Sequence, residues 1–366
     1  MPSFSRNLVA VAMSGGVDSS VAAYLLKEQG MEVIGISIKT HESPVQSEGG
    51  TCCTAEDLQD ARRVCQQLDI PFYPLNFKEE FRSQVIEYFG REYSQGRTPN
   101  PCVMCNTHLK FSGMMNEIKK LGAYYLATGH YAQKKRGRDG RYHIHRATDL
   151  AKDQSYFLFN LNQEQLEHIL FPIGHYTKEE VREIARKQGL KTAEKAESQD
   201  ICFTAGQGYE EFMKNELPQF QGEPGAFVDQ EGQELGEHRG IHAYTVGQRR
   251  GLGVATGDKI YVTEIIPEEK KVVLGPATAL LKVGATVNDV NWIARDINYD
   301  EPVDVKIRYR HAGVQARLKL LNSRNLRVDF EEPQRAVTPG QAAVFYRGDE
   351  LLGGGWIDKA IENTPS

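Results

Sequence analysis

The chain has 366 residues, 40% of them hydrophobic and 25% charged, and a formal net charge of −5. That balance fits a globular protein with more than one packed core. No stretch reaches the roughly 18–20 continuous apolar residues of a membrane helix, and any nucleic-acid contact has to come from local basic patches. The residues before the first apolar run are too few for a signal or transit peptide, so a cytoplasmic protein with two or three domains and no membrane partner is expected. All six cysteines (Cys52, Cys53, Cys65, Cys102, Cys105 and Cys202) lie in the N-terminal part. A disulfide scaffold would not leave the rest of the chain without cysteine, so thiol chemistry or metal binding fits better.

In chain order, "LVAVAM" (8–13) predicts a strand, 21–30 a helix closing on Gly30, and "MEVIGISI" (31–38) a second strand. In 54–69, Leu58, Ala61, Cys65 and Leu68 recur at helical spacing after Thr54, a candidate N-cap. "PFYPLNF" reads as an irregular or edge strand because of its prolines. A helix over about 78–95, a loop bearing Cys102 and Cys105, a helix over about 107–121 and a strand at 124–129 follow. The alternation predicts an α/β fold, a parallel sheet covered by helices on both faces. Its ligands belong beyond the strands' C-terminal ends, where 14–19, the segment after 38, and 129–131 emerge.

Beyond 131 comes a basic hairpin with Asp139-Gly140 at its tip, then helical patterns at 163–170 and 178–188, then a polar loop with Cys202. After about 206, short strands and turn signals dominate, and from about 280 alternating runs such as "VDVKIRYR" and "VQARLKLL" predict a small antiparallel barrel or sandwich. The expected domains are 1–205, 206–278 (small and β-rich) and 279–366 (an antiparallel barrel).

"MSGGVDSS" (13–20) joins the first strand to the first helix. Its glycines let backbone N–H groups approach an anion, and the helix N-terminus points to the same place. It lacks the lysine of G-x-x-x-x-G-K-[ST] and is not G-x-G-x-x-G. "SGGVDSS" resembles the pyrophosphate loop of ATP-pyrophosphatase enzymes, which cleave ATP between the α- and β-phosphates and adenylate a carbonyl oxygen of the substrate. Along nearly the whole chain, "GRTPNP", "CN", "ATGHY", "KDQSYFL", "ICF", "TVGQRRGLG", "TPGQAAVFY" and "GGG" resemble, in order, the landmarks of the bacterial tRNA 2-thiouridylase family.

That resemblance implies ATP-dependent sulfur transfer to the 2-position of the wobble uridine of certain tRNAs. It implies that Ala12, Met13, Ser14, Gly15, Gly16, Val17, Asp18 and Ser19 hold ATP, with Ile38 and Gly129 lining the adenine and ribose pocket. Asp18 also suits Mg2+, a hard cation that prefers carboxylate oxygens. Asn100, Pro101, Cys102, His130, Lys152, Asp153, Gln154, Arg308, Tyr309 and Gln341 match positions that contact tRNA. Read alone, His130 is a hydrogen-bonded core histidine, Asp153 or Ser155 a helix cap, and "KIRYR" a solvated strand face. The basic hairpin at 134–146 and Arg249-Arg250 are further patches that suit an RNA backbone.

By the same resemblance, Cys202 carries a persulfide and Cys105 releases the sulfur, forming a transient disulfide. The chain departs from the commoner pattern at Cys102, where aspartate usually follows "NP". The substitution creates Cys102-x-x-Cys105, and with Cys202 that set is also expected to ligate a 4Fe–4S cluster with one iron open to sulfide. Both routes stay open here, as does the sulfur donor: a cysteine desulfurase, a relay protein or free sulfide. Cys65 reads as core, and Cys52 and Cys53 are unassigned. Two other readings are a pyrophosphatase-loop ligase for a small carboxylate or amide, and a metal-stapled RNA-binding module without ATP cleavage.

Overall fold

The computed structural model describes residues 5–40, 55–197, 201–204, 208–254 and 257–362. Cys52, Cys53 and the candidate cap Thr54 lie outside the described residues. The chain forms two compact units: Met1–Val85 with Cys102–Gln207 and Asp349–Leu351, and Ile86–Pro101 with Gly208–Gly348 and Leu352–Ser366.

The first unit is built on β1 (Ser5–Ala12), β2 (Glu32–Lys39), β3 (Phe72–Asn76), β4 (Ala123–Thr128) and the short strand Ile169–Leu170. They form a parallel sheet in the order β3-β2-β1-β4 and then Ile169–Leu170, with Leu8 beside Glu32 and Ala12 beside both Ile36 and Thr128. Val9, Ala10 and Val11 are fully buried, as a central parallel strand covered on both faces requires. Pro74 sits in β3 at the sheet edge, where a missing donor is tolerated. Helices α1 (Val17–Glu28), α2 (Ala55–Gln67) and Lys178–Lys187 contribute Val21, Leu26, Ala61, Val64, Cys65, Val181 and Ala185 to one core. Burial pushes the Cys65 thiol up to about 12, so it is an inert core residue, as expected.

Two boundaries differ from expectation. Helical structure begins at Pro101, through Pro101–Met104, a π-helical segment Cys105–Met114 and Met115–Lys120, so Cys102 and Cys105 ride on a helix rather than a loop. Proline is preorganised for a first helical turn, and the pair misled because C-x-x-C suggests a loop. The helix at 163 stops at His168, because Ile169 and Leu170 pair with Leu126 and Ala127 of β4.

The expected hairpin is present, with strands Gln133–Arg136 and Tyr142–His145 and Gly140 at φ 79°. Glu350 and Leu351 extend it by pairing with His145 and Ile144. His143 Nδ1 lies 2.6 Å from Glu350 Oε1 and its Nε2 3.2 Å from Asp139 Oδ1. Burial opposes the charged ring, but these carboxylates outweigh it and raise its pKa above the ordinary histidine value. The stabilisation is therefore complete below the unfolded-state pKa and is lost as pH rises through the folded-state value. His143→Gln is expected to lower the unfolding midpoint at pH 6 and to have little effect at pH 8.5, measured by urea titration at both.

In the second unit, the helical segment Glu87–Ser94 packs on the helix Tyr209–Glu216 through Tyr93 stacked on Tyr209 at 4.6 Å and Phe89 edge-on to Phe212 at 6.3 Å. A four-stranded sheet, in the order Tyr261–Ile266, Lys271–Gly275, Gly225–Val228, Glu234–His238, encloses a small core around Phe227, Tyr244 and Val262. Strands Leu281–Trp292, Leu326–Arg335, Val314–Leu320, Val303–Lys306, Ala342–Arg347 and Glu350–Ile361 form a sheet that closes where the first and last pair antiparallel, giving the expected barrel. The strand at 303 ends at Lys306, so Arg308 and Tyr309 lie in the turn after it.

Candidate functional site: an anion cradle and a thiol set

The turn after β1 opens into α1, whose N-cap, Gly16, brings no side chain to its first N–H groups. Those donors are unsatisfied within the helix, and the macrodipole adds positive character there. Met13 N donates to Ile36 O at 2.7 Å, which fixes where the turn begins. Ser19 Oγ accepts from Ser14 N and meets Ser14 Oγ, both at 3.2 Å, and Ser20 Oγ donates to Gly16 O at 2.8 Å. Gly15 has φ 75°, and a Cβ there would lie 2.3 Å from Asp57 O on α2. A Cβ on Gly129 would lie 2.7 Å from Ser19 N. Only glycine lets these backbones close around the cradle. Ile38 is buried near the C-terminal end of β2, two residues beyond the pairing with Ala12. The structure thus brings Ser14, Gly15, Gly16, Asp18, Ser19 and Gly129 together, with Ile38 at the same end of the sheet.

Asp18 is tied to residues that sequence reading missed. Tyr131 Oη donates to Asp18 Oδ1 at 2.8 Å, and Lys178 Nζ lies 2.8 and 2.9 Å from the two Asp18 oxygens. Lys178 Nζ also pairs with Glu197 Oε1 at 2.9 Å, and Glu197 Oε2 pairs with Lys152 at 2.7 Å. Burial disfavours the Glu197 carboxylate, yet the bonds from Lys152 and Lys178 hold its pKa below the ordinary range. Burial and the Asp18 charge push the Tyr131 phenol up, so it stays a donor. Gln154 and Tyr131 exchange two bonds, Gln154 N to Tyr131 O at 2.8 Å and Tyr131 N to Gln154 Oε1 at 3.0 Å.

Of the triplet Lys152-Asp153-Gln154, the lysine and the glutamine are half-buried and only the aspartate is buried. Asp153 is buried and accepts from Ala147 N, Ser155 N and Ser155 Oγ at 3.1, 3.2 and 2.8 Å, so it organises the turn as a cap. His130 is buried, with Nδ1 2.7 Å from Thr128 Oγ1 and its ring against Phe111 and Phe171. Burial, with the nearby Lys110 charge, pushes its pKa well below the ordinary value.

Among the described residues, Cys65, Cys102, Cys105 and Cys202 are thiols rather than halves of disulfides. Cys102 is exposed, and Cys105 and Cys202 are half-buried. Three apart on a helix, Cys102 and Cys105 lie on one face. Cys202 occupies the turn Ile201–Thr204, closed by Thr204 N and Oγ1 donating to Ile201 O. Buried Phe203 anchors that turn edge-on to Phe81 at 5.8 Å, and the segment Lys78–Phe81 also packs on the π segment that carries Cys105. One element thus supports both thiol-bearing segments. No three His, Cys, Asp or Glu side chains among the described residues are gathered so as to hold a metal. Cys102, Cys105 and Cys202 in this arrangement therefore do not fit an iron–sulfur cluster. Asp18 fits Mg2+ in the usual way, as a single carboxylate beside a phosphate cradle.

In the second unit, Gln341 Nε2 donates to Thr98 O and Pro99 O at 3.1 and 3.0 Å, and Thr98 N donates to Pro339 O at 2.8 Å. Arg97 pairs with Glu92 at 2.9 Å and donates to Ile357 O at 3.2 Å. Gln341 therefore fastens the segment ending in Asn100 and Pro101 to the barrel. Arg308 donates to Arg335 O at 3.2 Å, and Tyr309 has Lys306 Nζ 5.8 Å from its ring centre.

A parallel sheet with an SGGVDSS anion cradle at the C-terminal end of β1, followed by β-rich modules, defines a nucleotide-binding protein of the ATP-pyrophosphatase-loop class. Family models match residues 7–206 (tRNA methyl transferase HUP domain), 210–276 (tRNA methyl transferase PRC-barrel domain) and 283–357 (aminomethyltransferase beta-barrel domain). The chain is 49% identical to the tRNA-specific 2-thiouridylase MnmA of Geobacter metallireducens over 98% of both chains. It is 46% identical to that of Carboxydothermus hydrogenoformans over 99% of this chain and all of the relative. A solved 4-thiouridine synthetase–RNA complex with bound ATP covers 58% of the chain at 15% identity with a TM-score of 0.36, an overlap on which no functional argument rests. The chain belongs to the tRNA-specific 2-thiouridylase family.

Proposed function

We propose that this chain thiolates C2 of the wobble uridine of tRNA in an ATP-dependent reaction, acting as a tRNA-uridine 2-sulfurtransferase in the cytoplasm. The observation that carries the reading is the anion cradle at 13–20 in the same unit as three thiols outside the buried core. The loop favours ATP chemistry over methyl transfer, despite the description of the matching family models. A small-molecule ligase would leave the thiols unused, and a binding module would leave the cradle unused. The three matched family segments support domains at 1–205, 206–278 and 279–366.

Ser14, Gly15, Gly16 and Ser19 hold the ATP phosphates, Ala12, Met13 and Val17 shape the turn, and Ile38 and Gly129 flank the nucleoside. Asp18 would hold Mg2+ together with those phosphates, and the ion would supply charge neutralisation. The uridine O2 attacks the α-phosphorus, forming an O–P bond while the bond to pyrophosphate breaks and its electron pair leaves with pyrophosphate. The terminal sulfur of a persulfide on Cys202, loaded by an external sulfur donor, then attacks C2, and AMP departs with the former carbonyl oxygen. The Cys105 thiolate attacks Cys202 Sγ, and the sulfur–sulfur electron pair goes to the thiouridine. This leaves a Cys105–Cys202 disulfide for a dithiol reductant to reopen. Half-buried Lys152 meets tRNA phosphate near the target, with Asn100, Pro101 and Cys102 at the base. Arg308, Tyr309 and Gln341 meet the anticodon arm. Half-buried Gln154 faces the RNA beside Lys152, and buried His130 and Asp153 support this surface from beneath.

The test is thiolation of unmodified tRNA by the purified protein with ATP, a cysteine desulfurase, cysteine and a dithiol. The expected products are 2-thiouridine, AMP and pyrophosphate in equal amounts. Methylated uridine without ATP consumption, or ATP–pyrophosphate exchange driven by a small acid without RNA, would overturn the reading.

A further inference from the structure

We infer that Lys178 is a catalytic residue of the ATP site, supplying from a distant helix the cation that the SGGVDSS loop lacks. This deepens the reading of that loop as an ATP site and rests on it. Lys178 stands 160 residues beyond Asp18 in sequence, yet its ammonium lies 2.8 Å from Asp18 Oδ1 at the mouth of the cradle. Its side chain is only 10% exposed.

Nothing in the local structure calls for a lysine there. Lys178 is the first residue of the helix Lys178–Lys187, where the dipole disfavours a cation. That helix already starts on a complete capping box, with Thr177 and Glu180 satisfying each other's backbone N–H groups. Buried lysines are rare, and an ion pair as deep as this one adds little net stability. Where a residue breaks several local rules together, function is the usual reason.

The charge balance at the cradle says what that function is. The loop itself offers only N–H dipoles, serine hydroxyls and the negative Asp18, and Glu197 adds a second carboxylate. A triphosphate entering beside two carboxylates needs a fixed cation. Lys152, the other ammonium in the network, pairs with Glu197 and is the more exposed of the two, at 36% against 10%. Asp18 and Glu197 hold the Lys178 ammonium in place, with the Tyr131 ring 5.7 Å away. When the uridine oxygen bonds to the α-phosphorus, the breaking bond leaves its electron pair on pyrophosphate. The Lys178 ammonium neutralises the charge that develops there.

Isothermal titration of the full-length protein with ATP, pyrophosphate and AMP tests this. Lys178→Met is expected to weaken ATP and pyrophosphate by at least roughly 30-fold, with AMP changed less than about 3-fold and Lys178→Arg recovering much of the loss. Equal losses for ATP and AMP, or unaltered ATP binding, would overturn the role. In the unaltered protein, acetic anhydride labelling of Lys178 should be slowed by ATP and by pyrophosphate but not by AMP. Labelling indifferent to all three also overturns the inference, and this arm stands even if the variants fail to fold. An unaltered protein that binds no ATP would instead refute the reading of the loop, a distinct result.

Discussion

Cys202→Ser is expected to lower thiolation by on the order of 10⁴-fold or more, while ATP binding stays within about two-fold of the unaltered protein. The two effects separate because the thiol and the cradle are built from different segments. Cys202 sits on a turn whose anchor, Phe203, packs on Phe81, whereas the cradle is held by β1, α1 and the Gly129 turn. Serine preserves the two bonds from Thr204 N and Oγ1 to Ile201 O but cannot carry a sulfane sulfur. Cys105→Ser should reduce steady-state turnover as severely, yet with persulfide-loaded protein it should trap the uridine-bound sulfur on Cys202. Cys102→Asp should retain activity, because the persulfide route needs only two thiols. Single-turnover thiolation read by nucleoside mass spectrometry checks all three. Stoichiometric iron and sulfide in anaerobically prepared protein, with Cys102→Ala as inactive as Cys202→Ser, would replace the persulfide by a cluster. The described thiols would then have to regroup, since no set of three is gathered now.

The local parts of this molecule were legible in its sequence and the assembled parts were not. The cradle is contiguous, so strand, glycine turn and helix N-terminus could be read together. Cys65 was identified as core because helical spacing alone placed it on an apolar stripe, and its burial agrees. Lys178 is not conspicuous in the sequence, because it is one of several charged residues on an amphipathic helix. Only the fold sets it against Asp18. Glu197 was hidden for the same reason. His130 is buried and bonded to Thr128, surroundings that the residue-level reading of a hydrogen-bonded core histidine describes. The helix Tyr209–Glu216 follows Gly208 at φ 82° with no side-chain cap, so the usual start signal is missing. The anchoring bonds of Gln341 are not legible in the sequence because its acceptors, Thr98 O and Pro99 O, are far away along the chain.

Gly15→Ala is the second large effect, and it probes the cradle without touching a charge. Two costs fall on one methyl group. The backbone at φ 75° disfavours any L side chain, a strain of about 1–3 kcal/mol for such positions. The new Cβ would also sit 2.3 Å from Asp57 O, a backbone atom of α2 that cannot rotate away. Asp57 and Asp60 are themselves pinned by Lys195, at 2.8 and 2.6 Å, so α2 resists the shift and the turn must give instead. Moving the turn misaligns the N–H groups at the start of α1, and a displacement near 1 Å at a reacting centre costs about 10²-fold. Gly15→Ala is therefore expected to lose at least about 10²-fold in ATP-dependent thiolation and to lower the unfolding midpoint modestly. Gly30→Ala, at φ 79° with open space around the Cβ, should show the strain alone and keep its ATP affinity. Comparing the two by thermal unfolding and ATP titration isolates the contact with α2. Equal ATP affinities for both variants would mean that the close approach of Gly15 to Asp57 does not shape the cradle.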